Sequence, residues 1–319
     1  MLRYVINRVK SSLVVLLVVS IITFVVLMII PGNPAQLILG TDATPEMIEE
    51  LQKAMGLDKP FYQQYLSWLL DLVKFDMGES YVYGESVTTL IARALPVTMS
   101  ISVYAMTIAT VFAFLFGMLS AVKKNSFIDY FSRSIMQLGT AIPSFWIGMV
   151  FIVFFALRLK ILPDSGFVPM SVSFPKFIRS ITLPAVVLSL GEIGTLLRIV
   201  RSSMLDSLMQ DYMDMAKVQG LSTGKIYMKY ALRGALIAPI TIIGMQFAKL
   251  AGGTVVVETI FALPGIGRLV LTAVEHRDIV LLQGLVMFIT STVIFITLMV
   301  DVMIMAINPR IKTVERGEQ

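Results

Sequence analysis

Cysteine is absent from the 319 residues, and histidine occurs once, at His276. The first absence excludes a disulfide framework and thiolate chemistry, whether as nucleophile or as metal ligand. The second excludes a multi-histidine metal site. Charge is scarce too: Asp, Glu, Lys and Arg make up 15% of the chain, where soluble domains run near ~25%. So few charges cannot cover a surface that faces water. Hydrophobic residues fill the gap at 56%, with a mean hydropathy of +0.83, and most of the surface must therefore meet lipid. The net charge of +5 and a pI near 9.3 then have a simpler use than binding nucleic acid, which is to fix orientation in a membrane.

A lipid span needs about 20 apolar residues, and runs of that kind recur: Ser11 to Ile30, Pro96 to Val122, Ser134 to Leu157, Ile181 to Leu197, Gly234 to Val257 and Ile279 to Ile307. Helices are expected, because lipid tolerates no open sheet edge. The first run follows Arg3, Arg8 and Lys10. It is too long for a typical signal core and lacks a clear small-residue cleavage site, so a retained first helix is expected rather than a cleaved signal. With the N-terminus inside, the inside segments carry 15 basic residues and the longer outside segments 10, with Lys249 completing the 26. Basic density then places both termini in the cytoplasm.

The segment from Pro31 to Leu95 is too long for a plain loop. Thr44-Pro45-Glu46 reads as a helix start and Gly56 as its end. A second helix after Pro60 places Phe61, Tyr65, Trp68, Leu69 and Leu72 on one face. A small helical cap lying against the bundle on the outside is expected. No repeat of fixed period occurs.

Charged residues inside spans cost about 2.5 to 3.5 kcal/mol each at bilayer centre and so face the interior or a water-filled cavity. Three interrupt the runs: Glu192, Lys249 and Asp301. Asp301 lies near the inner end of its helix. Glu192 could pair structurally with Arg198 or a neighbouring backbone, or line a transport path. Lys249 lies roughly 12 Å below the expected outer end of its helix at Val257, too deep to reach water easily. Lys249 and Glu192 are the candidates for a translocation path. No nucleophile-and-base set appears, and the single histidine has no partner for a metal. The glycines of Leu263-Pro264-Gly265-Ile266-Gly267 read as a tight turn at an outer helix boundary. They are not a phosphate cradle, because no GxxxxGK loop followed by Ser or Thr exists.

The expected inside segment Asp211 to Leu236 mixes charge with apolar residues at helical spacing. Tyr212, Ala216 and Gly220 are four apart and share one helix face, small residues there admit another backbone, and Gly220 can end the helix. An interfacial helix on an anionic membrane surface, using Lys217, Lys225 and Lys229, fits the same pattern.

The segment also resembles the coupling loop of bacterial binding-protein-dependent ABC importer permeases. Asp214-Met215-Ala216, with Gly220 four residues on, stands where that loop carries Glu-Ala-Ala and Gly. The dipeptide, oligopeptide and nickel branch is resembled along nearly the whole chain: Pro31-Gly32-Asn33-Pro34, Phe75 to Ser80, Ile142 to Gly148, Leu162 to Gly166, Arg201-Ser202-Ser203-Met204, Val257 to Arg268, Arg277-Asp278 and Asn308-Pro309-Arg310-Ile311. Two positions depart from the branch: Thr297 stands where Asn is usual, and Asn308 where Asp is usual.

The resemblance implies an all-α integral membrane protein of six transmembrane helices, with the type I ABC importer permease fold. The first helix and outer segment would span 1–94, the permease core 95–310 and a cytoplasmic tail 311–319. It implies a bacterial inner-membrane subunit that is not itself an enzyme and binds no cofactor. A second homologous permease would complete a heterodimer. Two cytoplasmic ATPase subunits would use ATP and Mg, gripping a coupling segment that includes Tyr212, Asp214, Ala216, Lys217 and Gly220. An extracytoplasmic solute-binding protein would deliver the cargo, and nucleic acid has no part. Short peptides are the expected cargo, with nickel or a metal chelate as the alternative. A self-contained secondary transporter would instead show midplane acids, broken helices and repeated halves.

Overall fold

A computed structural model describes residues 2–29, 34–39, 43–54 and 56–307. Residues 31–33 of the Pro31–Pro34 motif, the Asn308–Ile311 motif and the 311–319 tail lie outside the described residues. The chain runs α1 (Leu2–Ile29), α2 (Pro34–Leu39), α3 (Pro45–Ala54), α4 (Phe61–Val73), β1 (Glu79–Ser80), β2 (Glu85–Ser86), α5 (Val87–Val122), α6 (Phe127–Ala141) and α7 (Ser144–Phe151), which runs into a π-helical turn, Ile152–Arg158. It continues with α8 (Phe174–Leu208), α9 (Asp211–Val218), α10 (Thr223–Lys225), a second π-helical turn at Ile226–Ala231, α11 (Leu232–Ala235), α12 (Ile237–Ala251), α13 (Val255–Ile260), α14 (Ile266–Glu275) and α15 (Ile279–Ile307).

Four stretches, Val5–Leu27, Val87–Val122, Phe174–Leu208 and Ile279–Met305, are each one helix long and apolar enough to cross a membrane. Counted as one span each, two bent pairs bring the total to six. Phe127–Ala141 and Ser144–Arg158 meet at 101°, and Thr223–Ala235 and Ile237–Ala251 meet at 56°. The expected straight third helix, Ser134 to Leu157, is therefore corrected. Its break falls at Ile142-Pro143, because proline forces its predecessor out of the α region, and Ile142 is extended at φ −89° and ψ 126°. The fifth apolar run is corrected as well. Its helix ends at Ala251 rather than continuing to Val257, and the chain breaks at Gly252-Gly253-Thr254 before α13.

Helices α5 and α8 form the central pair. Ala105, Ala109, Ala113, Gly117 and Ala121 recur every four residues of α5, and all are buried. Small residues at that spacing let two helix backbones approach. A Cβ on Gly117 would lie 2.8 Å from Val200 Cγ1 of α8. Both helices outrun their apolar stretches, because the charged turns beyond them still have neighbours to pack on. Ser86 begins α5 as its N-cap, accepting from the Thr89 N–H.

The segment between α1 and α5 contains the expected helices. Helix α4 leans on α1, with Phe24 packed among Phe61, Tyr65 and Trp68 and a 2.8 Å hydrogen bond between Ser20 and Tyr65. One feature departs from a purely helical reading. The strands β1 and β2 form a short antiparallel hairpin, Glu79 opposite Ser86 and Ser80 opposite Glu85. Buried Asp278 anchors it, accepting from the Ser80 hydroxyl at 2.6 Å while its other oxygen caps α15 at the Leu281 N–H, 3.0 Å away.

Candidate functional site

The two broken spans meet around one cavity of about 540 Å³. Its walls come from the end of α6 and the start of α7 on one side of the Pro143 break, from the middle of α8, and from the end of α12 with the link to α13. Irregular backbone at membrane depth is tolerated where it lines such a cavity. Gly139 helps set the wall, since α6 lies so close to α8 that a Cβ there would stand 2.5 Å from the Leu190 carbonyl oxygen. Among the described residues, Glu192 and Lys249 are the only charged ones that line the cavity.

These two candidates, 57 positions apart, face each other with Lys249 Nζ 3.5 Å from Glu192 Oε1. Glu192 pairs across helices, not with Arg198. The Glu192 side chain is 10% exposed and that of Lys249 76%. Gln246, one turn before Lys249, donates to the Glu192 main-chain carbonyl at 3.4 Å. The expected depth of Lys249 below its helix end is corrected. It sits in the last turn of α12, two residues before the helix stops at Ala251, beside the break. Asp301 pairs with Arg8, whose Nε lies 2.8 Å from its carboxylate, tying α1 to α15.

The second candidate region is α9 with the turn after it. Met213 and Ala216 are buried, packed in one cluster with Met204, Ile226 and Ala231. Ala216 thus spends its small size on a close approach to its own chain. Tyr212 bonds through its hydroxyl to Ser207 at 2.8 Å, and Ser207 donates to the Ala231 carbonyl at 2.8 Å. A Cβ on Gly234 would fall 2.6 Å from the Tyr212 hydroxyl. The outward face carries Asp214, Met215, Lys217 and Val218, with Val218 at 88% exposure. Lys217 reaches Asp214 at 2.7 Å, and that hydrogen bond raises the ammonium above its ordinary lysine range. Gly220 ends the segment in the left-handed region at φ +73°, with open space where a Cβ would stand.

Sequence reasoning missed three buried acids. Asp129 on α6 accepts from the Ser120 hydroxyl at 2.6 Å, from Arg201 at 2.8 Å and 3.1 Å, from Arg133 at 2.9 Å and from the Asn125 N–H at 3.0 Å. It ties α5, α6 and α8 together. Glu258 accepts from the Thr98 hydroxyl at 2.7 Å and from the Arg268 N–H at 3.0 Å, so its carboxylate caps the first turn of α14. A Cβ on Gly265 would lie 2.4 Å from that carboxylate, which gives the Leu263–Gly267 turn its physical reason. Asp278 is the third. A charge reads as the end of an apolar run, so burial of these acids had no direct signal. The glycines after Glu258 were the one available hint.

Comparison with known proteins places this geometry. Residues 113–313 match the family described as binding-protein-dependent transport system inner membrane component. Residues 1–102 match the N-terminal part of such membrane components. A protein of Brucella abortus strain 2308, named for a peptide transport system permease, is 36% identical over 98% of this chain and 99% of its own length. The glutathione transport system permease of Escherichia coli O6:H1 is 35% identical over 98% of this chain and 99% of its own length. Among solved structures, the MetNI methionine ABC transporter in inward-facing conformations has a similar fold. The TM-score is 0.54 at 15% identity, covering 69% of this chain and 96% of that one. Apolar spans, two bent pairs of helices where a charged cavity opens, and matches along nearly the whole length lead to one conclusion: the chain belongs to the family of multi-pass inner-membrane components of binding-protein-dependent ABC transport systems.

Proposed function

We propose that this chain imports short peptides as one of two permease subunits of an ATP-driven importer. The observation that carries the reading is end-to-end similarity to permeases named for peptide and glutathione transport. Broken helices beside a charged cavity occur in several transporter folds, and membership in the ABC family removes the secondary-transporter reading. A related but different permease completes the path, which passes Glu192 and Lys249. A solute-binding protein delivers cargo from outside, and both termini face the cytoplasm. This subunit is not an enzyme and binds no cofactor. ATP and Mg are used by two partner ATPases, each permease docking its coupling segment in one of them. In this chain the segment is Tyr212 to Gly220, held by Met213 and Ala216 and offering Asp214, Met215, Lys217 and Val218.

The test is reconstitution of the chain with its co-encoded permease, ATPases and binding protein in liposomes. ATP-dependent accumulation of labelled di- and tripeptides is expected. Accumulation of nickel or a nickel chelate in their place would overturn the peptide assignment.

A further inference from the structure

We infer that Glu192 and Lys249 read the two charged ends of the cargo, Glu192 taking the peptide ammonium and Lys249 its carboxylate. The inference rests on the peptide-import reading and adds what the permease itself recognises.

The pair is built unlike Arg201–Asp129, which also joins two helices. Arg201–Asp129 closes to 2.8 Å, the usual length of a charge-assisted hydrogen bond. Lys249–Glu192 stands at 3.5 Å. Asp129 is saturated with donors, whereas the Glu192 carboxylate makes this one hydrogen bond among the described residues. Such an acid, buried in a transmembrane helix with one slack partner, is under-satisfied. The rest of the cavity lining offers hydroxyls of Thr140, Ser144, Thr195 and Thr254 and apolar surface, but no other charge.

A peptide with free ends is a zwitterion at neutral pH. In a cavity walled largely by apolar side chains each end needs a counter-charge, because an unpaired charge there is costly. The cavity supplies one of each sign. While it is empty the two neutralise each other. As cargo enters, each exchanges its partner for a cargo terminus, so no charge is left unpaired. The exposures set the direction. Glu192 is fixed in the wall and Lys249 swings at the mouth on a flexible four-carbon stem, so the amino end lies inward and the carboxylate toward the α12 break. A dipeptide spans about 7 Å, so with a hydrogen bond at each end the two side chains must part well beyond 3.5 Å, and Lys249 is the member of the pair on a flexible stem; 540 Å³ lies within the ~300–1,000 Å³ of ligand cavities.

The experiment uses the reconstituted complex with three probes: a free dipeptide, its N-acetyl form and its C-amide form, each at saturating binding protein. Uptake of each probe is compared between wild type, Glu192→Gln and Lys249→Met. The same binding protein delivers each probe throughout, so its own preference cancels. Glu192→Gln is expected to shrink discrimination against the N-acetyl peptide about tenfold, the worth of one hydrogen bond to a charged group, and to leave discrimination against the amide as it was. Lys249→Met is expected to do the reverse. Should Glu192→Gln fail to assemble, Lys249→Met at the exposed mouth carries the test alone. Equal loss for all three probes would make the pair merely structural and overturn the inference, with peptide import left standing. Absence of ATP-driven uptake of any probe by wild type would overturn both.

Discussion

Asp129 holds three helices with one carboxylate, and its two arginines have no comparable second acid in that network. Removing the charge from a buried pair leaves its partners uncompensated. Asp129→Asn should therefore lower stability by about 3 kcal/mol, seen as earlier thermal unfolding of the detergent-purified chain, with Arg133→Ala milder because that side chain is 44% exposed. Glu258 is sensitive for a different reason. The glycines opposite its carboxylate leave room for nothing else, so Gly265→Ala should overpack the turn by about 1–3 kcal/mol and reduce the yield of folded protein, measured by fluorescence-detected size exclusion. At this scale the sequence flagged Glu192 and Lys249 by their cost in lipid. It did not flag Asp129 or Glu258, because a charge beyond an apolar run looks solvated until its neighbours are known.

Helix α9 shows how one element divides its faces. Met213 and Ala216 fasten it to the bundle, so Ala216→Leu should destabilise the chain itself by about 1–3 kcal/mol through overpacking. Met215 and Val218 touch nothing comparable, so Val218→Asp should leave the purified chain's thermal stability within about 0.5 kcal/mol. The same change should strip the ATPase from the purified complex, measured as ATPase recovered per permease. Gly220 needs the left-handed region, which asparagine tolerates and valine resists. Gly220→Val should uncouple ligand-stimulated ATP hydrolysis, and Gly220→Asn should retain most of it. Wild-type coupling in Gly220→Val would return α9 to an interfacial helix. The element and its end were legible from spacing and from Gly220. Which face turned inward was not, because Tyr212, Ala216 and Gly220 share a side in projection while packing alone decides what that side meets.

Across the whole molecule, the split of basic residues predicts both termini inside. The ion pair of Arg8 with Asp301 joins the beginning of α1 to the last turns of α15, so the first and last spans share an end. A cysteine-free chain is convenient for testing it. In intact cells or spheroplasts, a membrane-impermeant thiol reagent should label Lys53→Cys and spare Lys225→Cys, and the opposite pattern would invert the topology. Composition by itself determined that this is a membrane protein, because 15% charge cannot solvate its surface. Apolar run length marked the candidate spans, because bilayer thickness sets the length needed, and the ordered motifs determined the family resemblance. Only the tertiary structure decided that the third span turns by 101°, since a proline marks a break without giving its angle. It also decided that the fifth helix stops just beyond Lys249, and that Glu192 and Lys249 share one cavity. Those two residues belong to different helices, and nothing local in the chain relates them. Their meeting depends on how closely small residues allow α6, α8 and α12 to pack.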